Sequence, residues 1–139
     1  MTNAKPIRFT FTASERLKQR KLIETLFRQG KAFFVFPYKV IYQVIPAQAA
    51  EWPAQAGFSA SKRYFKHAVD RNRAKRLTRE AYRLRKHELY AALEAGGVHM
   101  QVFFLYSTAK SLDFDEIQDK FAVILKKLKA EIPPPGATA

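Results

Sequence analysis

Residues 68–86 read AVDRNRAKRLTREAYRLRK, and this stretch decides how the chain folds. Eight of its nineteen residues are Lys or Arg, whereas only Asp70 and Glu80 are acidic. On an α-helix, at about 100° per residue, the small and aliphatic side chains share one arc; they are Ala74, Leu77, Ala81 and Leu84. The opposite side carries the cations and two polar companions, which are Arg71, Lys75, Arg76, Arg79, Arg83 and Lys86 with Asn72 and Tyr82. The pattern predicts a helix that packs its apolar arc on a sheet and directs its cations outward.

Burial has to hold this helix together against its own charge. Each buried Leu contributes roughly 1.5–3 kcal/mol. Like charges one turn apart, such as Arg71 and Lys75, cost roughly 0.2–0.5 kcal/mol per pair. Burial therefore outweighs the repulsion, but the charge remains a net cost to folding, and we expect a partner outside the chain to neutralise it.

Composition limits what that partner is. The chain has 139 residues, of which 47% are apolar, with a formal net charge of +13 and no Cys. This is enough apolar material for one domain with a core and without disulfides. Such a positive excess is typical of proteins that bind nucleic acid or an anionic membrane surface. No run of 18 apolar residues and no apolar leader segment occurs, so we expect a cytoplasmic protein with no membrane partner.

Periodicity and turn residues predict seven elements in the order α-β-β-β-α-β-α, an α+β class in which helices pack on one sheet as two layers or as a sandwich. They are a helix that begins between residues 13 and 20 and ends at Gly30, strand residues 32–45 interrupted at Pro37, a strand over 57–61 after a loop over 46–56, a helix from about 66 to the high eighties or to Ala95, a strand over 98–107, and a last helix capped by Asp113 or Asp115.

Local chemistry predicts how some of these elements end and pack. Thr12 and Glu15 have the spacing of a capping box, and Gly30 suits a left-handed helix stop. Residues 98–107 form a continuous apolar run, which predicts a central strand. The last helix has an apolar stripe of Ile117, Phe121, Ile124, Leu125 and Leu128. We expect one domain over residues 1–130, followed by a disordered tail over 131–139, which is rich in proline and small residues.

Two other interpretations of the basic helix have to be weighed. A solvated helix face usually mixes both signs of charge, unlike residues 68–86. A membrane-surface helix places bulky Trp, Phe or Leu side chains on its apolar side, whereas this one offers two Ala and two Leu. The Arg content also favours phosphate, because one guanidinium binds two oxygens at once. Nucleic acid is therefore the expected partner, and these arguments leave RNA and DNA open.

Residues 57–83, GFSASKRYFKHAVDRNRAKRLTREAYR, closely resemble the signature of the bacterial ribonuclease P protein subunit family. That signature has a strand ending in Ser-Lys-Lys/Arg, a short turn, and a helix built on A-V-x-R-N-R-x-K-R-x-x-R-E. Residues 61–63 and 68–80 occupy those positions here. Residues 16–31, RLKQRKLIETLFRQGK, look like the family's first helix with its L-F-x-x-G ending. The resemblance covers about residues 7–130.

The resemblance implies an α–β sandwich with a left-handed βαβ crossover, as in the second domain of ribosomal protein S5, although right-handed crossovers are the general default. It implies binding to the large catalytic RNA of ribonuclease P and to the 5′ leader of precursor tRNA, which promotes endonucleolytic maturation of the tRNA 5′ end. The RNA subunit and its bound Mg²⁺ would perform the hydrolysis, so we expect neither a catalytic residue nor a metal site in the protein.

The resemblance also implies two binding surfaces. The surface for the RNA subunit comprises Arg71, Asn72, Arg73, Lys75, Arg76, Arg79 and Arg83. The cleft for the single-stranded leader comprises Ile23, Phe27, Tyr42, Lys62 and Arg63. Arg73 projects beside the apolar arc, so it also serves to orient the helix. Phe27 and Tyr42 suit stacking of bases, but both residue types also serve as ordinary core aromatics. Ile23 stands where the family often has Phe, which predicts a smaller stacking platform.

Two alternative functions remain in view. A protein nuclease would need carboxylates that hold Mg²⁺, and Asp113, Asp115 and Glu116 form the one acidic cluster. Their place at a predicted helix start gives a simpler role, because they cap the helix and complement its dipole. The three histidines show no metal-ligand spacing. The second alternative is a structural RNA-binding protein such as a ribosomal protein, which shares this size and basicity.

Overall fold

The computed structural model describes residues 11–47 and 52–133, and its elements follow the predicted order. After a 3₁₀ turn at Ala13–Glu15 they are α1 (Arg20–Gln29), β1 (Lys31–Val35), β2 (Tyr38–Pro46), β3 (Ala54–Ala60), α2 (Ala68–Gly96), β4 (Val98–Tyr106) and α3 (Phe114–Ala130). They form a mixed α+β domain with helices on both faces of one sheet.

The sheet has four strands in the order β1-β2-β4-β3. β1 and β2 form an antiparallel hairpin that turns at Phe36 and Pro37, so the proline does break the predicted strand. β2 also pairs antiparallel with β4, with Tyr38 opposite Tyr106. β3 runs parallel to β4, and α2 makes the crossover between them, whose left hand stays a prediction. β4 lies inside the sheet, which confirms the position predicted from its apolar run.

α2 and α3 pack against each other over one face of the sheet. Phe104 from the central strand contacts Phe121 of α3, with ring centroids 5.0 Å apart. All five residues of the apolar stripe predicted for α3 are buried, as expected. Asp113 caps this helix, since its carboxylate accepts a hydrogen bond of 2.8 Å from the backbone N–H of Glu116. This layer holds most of the core and fixes the orientation of α2.

The buried stripe of α2 is displaced from the predicted apolar arc, because Ala74 and Ala81 are buried but Leu77 and Leu84 are only half-buried. Its members are Ala74, Thr78, Ala81, Tyr82, Lys86, Leu89 and Leu93. Thr78 is buried because its hydroxyl donates to the carbonyl of Ala74 and lies 2.7 Å from the Tyr38 hydroxyl. The prediction that Tyr82 and Lys86 lie on the outer, basic side was wrong. Hydropathy does not separate a polar side chain with buried partners from one in water, so both were assigned to solvent.

α1 covers part of the other face of the sheet. Leu17, Leu26, Ile41 and Phe103 form a second, smaller buried cluster there. Gly57 on β3 allows this close packing, because a Cβ at that position would lie 2.5 Å from the Phe103 ring. The sheet therefore has a fully covered face beneath α2 and α3 and a partly covered face beneath α1.

Two glycines end helices for different reasons. Gly97 adopts the left-handed conformation, with φ of 68°, and α2 ends at Gly96, one residue beyond the later of the two predicted ends. The predicted helix stop at Gly30 is confirmed, because α1 ends at Gln29, but the Gly30 backbone is extended, with φ of −74°, rather than left-handed. A glycine fits there because a Cβ would approach the carbonyl oxygen of Leu26 to 2.5 Å.

Two predicted boundaries also need correction. β3 begins at Ala54, inside the predicted loop over 46–56, because pairing with β4 continues back to that residue. The packed chain also extends beyond the predicted boundary at residue 130, since Ile132 is buried in the main core. The remainder of the predicted tail, from residue 134, lies outside the described residues.

Candidate RNA interface

The outer side of α2 presents a row of exposed residues spaced three and four apart. They are Asn72, Lys75, Arg76 and Arg79, which we call the basic row. Neighbours at this spacing share one helix face. Over residues 11–47 and 52–133, no carboxylate lies within ion-pair distance of Lys75, Arg76 or Arg79. These three cations are therefore exposed, aligned and not neutralised by the described part of the chain.

Two other arginines predicted for this surface are engaged within the protein. The Arg71 guanidinium donates hydrogen bonds of 2.8 and 3.2 Å to the carbonyls of Phe65 and Lys66, so it fastens the turn before α2. Arg83 forms a salt bridge of 2.7 Å with Glu80, one turn away. These contacts separate both residues from the basic row, although the sequence places them on the same side.

Arg73 stands apart from the row at the side of the helix. Its guanidinium donates a hydrogen bond of 2.9 Å to the hydroxyl of Ser111, in the loop before α3. The side chain therefore leans from α2 towards the C-terminal part of the chain. This agrees with the expectation that Arg73 helps to orient the helix.

Lys86, also on α2, is buried and forms an ion pair with the buried carboxylate of Glu15. The same carboxylate accepts hydrogen bonds of 2.6 Å from the Tyr90 hydroxyl and 2.9 Å from the backbone N–H of Thr12. Aromatic rings surround the ammonium group, with centroids 5.8, 5.6 and 5.4 Å away; they belong to Phe11, Trp52 and Tyr90. Burial raises the pKa of Glu15, but the hydrogen bonds outweigh burial and hold it below its ordinary value of 4.5.

Sequence reasoning missed this pair. Thr12 and Glu15 do form the predicted capping box, but it encloses a 3₁₀ turn. Lys86, the ion-pair partner of Glu15, lies 71 residues further along the chain. One signal was available, because Lys86 continues the four-residue spacing of Ala74, Thr78 and Tyr82. The pair ties α2 to the segment that leads into α1, and the backbone of Leu17 in that segment hydrogen-bonds to Ala56 of β3.

The cleft predicted for a single strand is bounded by α1 and the partly covered sheet face. Phe27 is 47% exposed and packs edge-on against Phe103, with ring centroids 5.1 Å apart. Ile23, one turn earlier, is half-buried against the smaller cluster. Phe27 therefore combines a fixed position with an accessible ring, which is what base stacking requires.

Tyr42 does not belong to this cleft, and its prediction as a cleft aromatic was wrong. Successive side chains of a strand point to opposite faces. Ile41 faces α1, whereas Tyr42 joins the main core and is 5% exposed. Burial raises the pKa of the Tyr42 hydroxyl, and Glu131 at the end of α3 adds to the effect.

Lys62 and Arg63 are exposed in the turn that follows β3. The Arg63 guanidinium lies over the ring of Tyr64, 5.9 Å from its centroid. The turn starts at Ser61, whose backbone N–H bonds to the carbonyl of Tyr106 at the end of β4. Both cations therefore stand at one end of the sheet, between the basic row and the partly covered face.

Across residues 11–47 and 52–133, no group of three or more His, Asp or Glu side chains has the geometry of a metal site. In the same ranges, no helix has the length and apolar character needed to span a bilayer. Asp113 and Glu116 exchange the hydrogen bonds of a capping box, which accounts for their place at the start of α3.

The aligned free cations on an α+β sandwich define a protein of the nucleic-acid-binding class. A family model, Ribonuclease P, matches residues 11–129. A ribonuclease P protein component from Porphyromonas gingivalis is 35% identical over 128 residues, covering 92% of this chain and 93% of that protein. One from Chlorobium phaeobacteroides is 38% identical over 99 residues, covering 66% and 68%. The chain belongs to the ribonuclease P protein family and is thus a subunit of that ribonucleoprotein endoribonuclease.

Solved structures share the fold. The ribonuclease P protein of Staphylococcus aureus superimposes with a TM-score of 0.63 at 20% identity, covering 85% of this chain and 96% of that one. The protein from Thermotoga maritima gives 0.61 at 19% identity, covering 81% and 96%. Family membership implies a general role in processing the 5′ end of tRNA and partnership with the ribonuclease P RNA. It also decides against a ribosomal protein.

Proposed function

We propose that this protein binds the catalytic RNA of ribonuclease P through the basic row of α2. The observation that carries the proposal is the exposure of Lys75, Arg76 and Arg79 without carboxylate partners in the described chain. Each phosphate that a Lys or Arg neutralises releases counterions from the RNA, which favours binding and makes it salt-dependent. Asn72 adds a neutral donor and acceptor at the same surface.

The division of labour follows from the side chains available. The basic row would neutralise RNA phosphates and orient the RNA on the protein. The buried contacts of α2 fix the position of the row in the free protein. In this proposal Mg²⁺ held by the RNA subunit supplies the chemistry of phosphodiester hydrolysis, and the protein positions the substrate beside it. These partners also lead us to propose a cytoplasmic location.

The second part of the proposal concerns precursor tRNA. The 5′ leader is single-stranded and offers unstacked bases, which bind exposed aromatic rings. Phe27 provides such a ring above the sheet face that α1 leaves partly open. Lys62 and Arg63 are available for leader phosphates at the end of the sheet. The two surfaces would let one small domain hold the catalytic RNA and its substrate together.

Cleavage assays with the reconstituted holoenzyme test this assignment. Phe27→Leu keeps an apolar side chain against Phe103 but removes the stacking ring, and Phe27→Tyr keeps the ring. We expect Phe27→Leu to weaken binding of precursor tRNA by about 5- to 150-fold, which corresponds to roughly 1–3 kcal/mol per stacked base. Mature tRNA, which has no leader, should bind both variants and the wild type equally.

The same reconstituted holoenzyme distinguishes the role of the basic row from the role of Phe27. Arg76→Ala should weaken binding to the RNA subunit without changing the preference for leader-bearing substrate. If Phe27→Leu reduces binding of precursor and mature tRNA alike, Phe27 is a packing residue and the leader assignment is wrong. If Arg76→Ala binds the RNA subunit as the wild type does, the assignment of the basic row is wrong.

A further inference from the structure

A cavity of about 390 Å³ lies beside the first turns of α2, on the side away from the α1 cleft. The turn over residues 64–67 forms one wall, and Ala109, Ser111 and Leu112 of the loop before α3 form the other. Tyr106 and Ile117 line the space between these walls. The volume falls at the lower end of the range of roughly 300–1,000 Å³ that is typical of small-ligand sites.

Hydrogen bonds hold both walls in place. Arg71 fastens the first wall by donating to the carbonyls of Phe65 and Lys66. The Tyr106 hydroxyl fastens the second, because it donates to the carbonyl of Lys110 at 2.6 Å and accepts from the backbone N–H of Leu112 at 3.2 Å. The cavity is therefore preorganised by the protein's own contacts.

The lining combines aromatic rings with charge of both signs. Tyr64 is 41% exposed, and the rings of Phe65 and Tyr106 pack with centroids 5.6 Å apart. Arg73 spans the cavity to Ser111 and uses one of its five donors there. Lys66 and His67 also line it, as does Asp70. A simple anion would be repelled by Asp70, whereas a nucleotide offers a phosphate to the cations, a ring to the aromatic wall and N–H donors to the carboxylate.

We propose that this cavity receives one unstacked nucleotide of the ribonuclease P RNA. The inference rests on the proposed function. The cavity is lined by Asp70, Arg73 and Ala74 of α2, whereas the basic row lies on the opposite side of the same helix turns. RNA bound along the row would therefore reach the cavity by passing around the start of α2. The basic row would bind phosphates of the RNA backbone, and the cavity would bind a single base that is not stacked on its neighbours. Stacking accepts any base, so the cavity contributes affinity and register rather than a sequence code.

Filling the cavity tests the proposal without removing a charge. Ala109→Phe places a ring in the exposed part of one wall, and Ala122→Phe puts the same ring on the exposed surface of α3 as a control. We expect Ala109→Phe to weaken binding to the RNA subunit by about 5- to 150-fold, as for one lost stacked base. The slope of log affinity against log salt should fall by no more than about 0.7–0.9, because only the phosphate of the displaced nucleotide loses its contact. Ala122→Phe should bind normally.

A second pair of variants covers the case in which Ala109→Phe does not fold. Tyr64 is exposed enough to be replaced without disturbing the core. Because its ring lines the cavity, Tyr64→Ala should weaken RNA binding, whereas Tyr64→Phe, which keeps the ring, should bind as the wild type does. Wild-type affinity in Tyr64→Ala or in folded Ala109→Phe overturns the cavity proposal. If Arg76→Ala still weakens binding in that case, the cavity proposal is wrong but the proposed function of the basic row is retained. Unchanged affinity in all of these variants overturns both.

Discussion

Lys75 and Lys86 occupy the same helix about three turns apart, and the fold uses their charges in opposite ways. Lys75 is exposed, and within the described residues no carboxylate lies at ion-pair distance from it. Lys86 is buried and paired with Glu15, inside a cage of aromatic rings. The comparison shows that a cation's role depends on whether the protein supplies its counter-charge. Where the protein supplies it, the cation joins parts of the fold; where it does not, the cation is available to RNA.

The largest effect we predict is on stability, from Lys86→Met. This change leaves the Glu15 carboxylate buried without its partner, and breaking a buried pair in this way costs roughly 3–5 kcal/mol. Chemical denaturation monitored by circular dichroism measures the loss. The double variant Glu15→Gln, Lys86→Met removes both charges and should recover much of the stability. A single variant as stable as the wild type would show that the pair does not hold the fold.

Acid should remove the same contribution gradually. Because the pKa of Glu15 is lowered in the folded state, the unfolded chain binds a proton more readily than the folded one. The stabilisation by Glu15 is therefore complete above its ordinary pKa of 4.5 and is lost as pH falls through the lowered folded-state value. Urea unfolding between pH 7 and pH 3 should show a steeper loss for the wild type than for Glu15→Gln. Parallel curves would contradict this account of the pair.

The smallest predicted effect on stability comes from Lys75→Met, which makes the same chemical change on the outer side of α2. Substitution of an exposed side chain without partners usually changes the free energy of unfolding by less than about 0.5 kcal/mol. RNA binding, measured by filter binding, should weaken all the same. A stability loss as large as that of Lys86→Met would remove the distinction between the two lysines.

The sequence predicted the fold class, the element order and the basic row well, because these depend on local periodicity. The apolar stripe of α3 and its Asp113 cap followed from spacing alone. The errors arose where tertiary contacts decide. Tyr42 was assigned to the cleft by resemblance, but strand alternation places Ile41 there instead.

The partners of individual cations explain the remaining differences. Arg71 and Arg83 are engaged locally, by carbonyls of the preceding turn and by a glutamate one turn away. Lys86 pairs with Glu15, 71 residues away, and only the fold reveals that contact. The cavity beside α2 was likewise hidden, because the residues that line it come from α2, its preceding turn and the loop before α3. Sequence therefore predicted where the charge is concentrated, and the structure shows which charges are free.

The salt dependence of RNA-subunit binding tests most directly whether the basic row is the RNA surface. The measurement compares wild type with the triple variant Lys75→Ala, Arg76→Ala, Arg79→Ala. A control triple variant removes three lysines of α3, which are Lys120, Lys126 and Lys127. The slope of log affinity against log salt should fall by about 2–3 for the α2 variant, at roughly 0.7–0.9 per lost phosphate contact, and little for the control. Equal changes in both variants, or an unchanged slope in the α2 variant, would contradict the account.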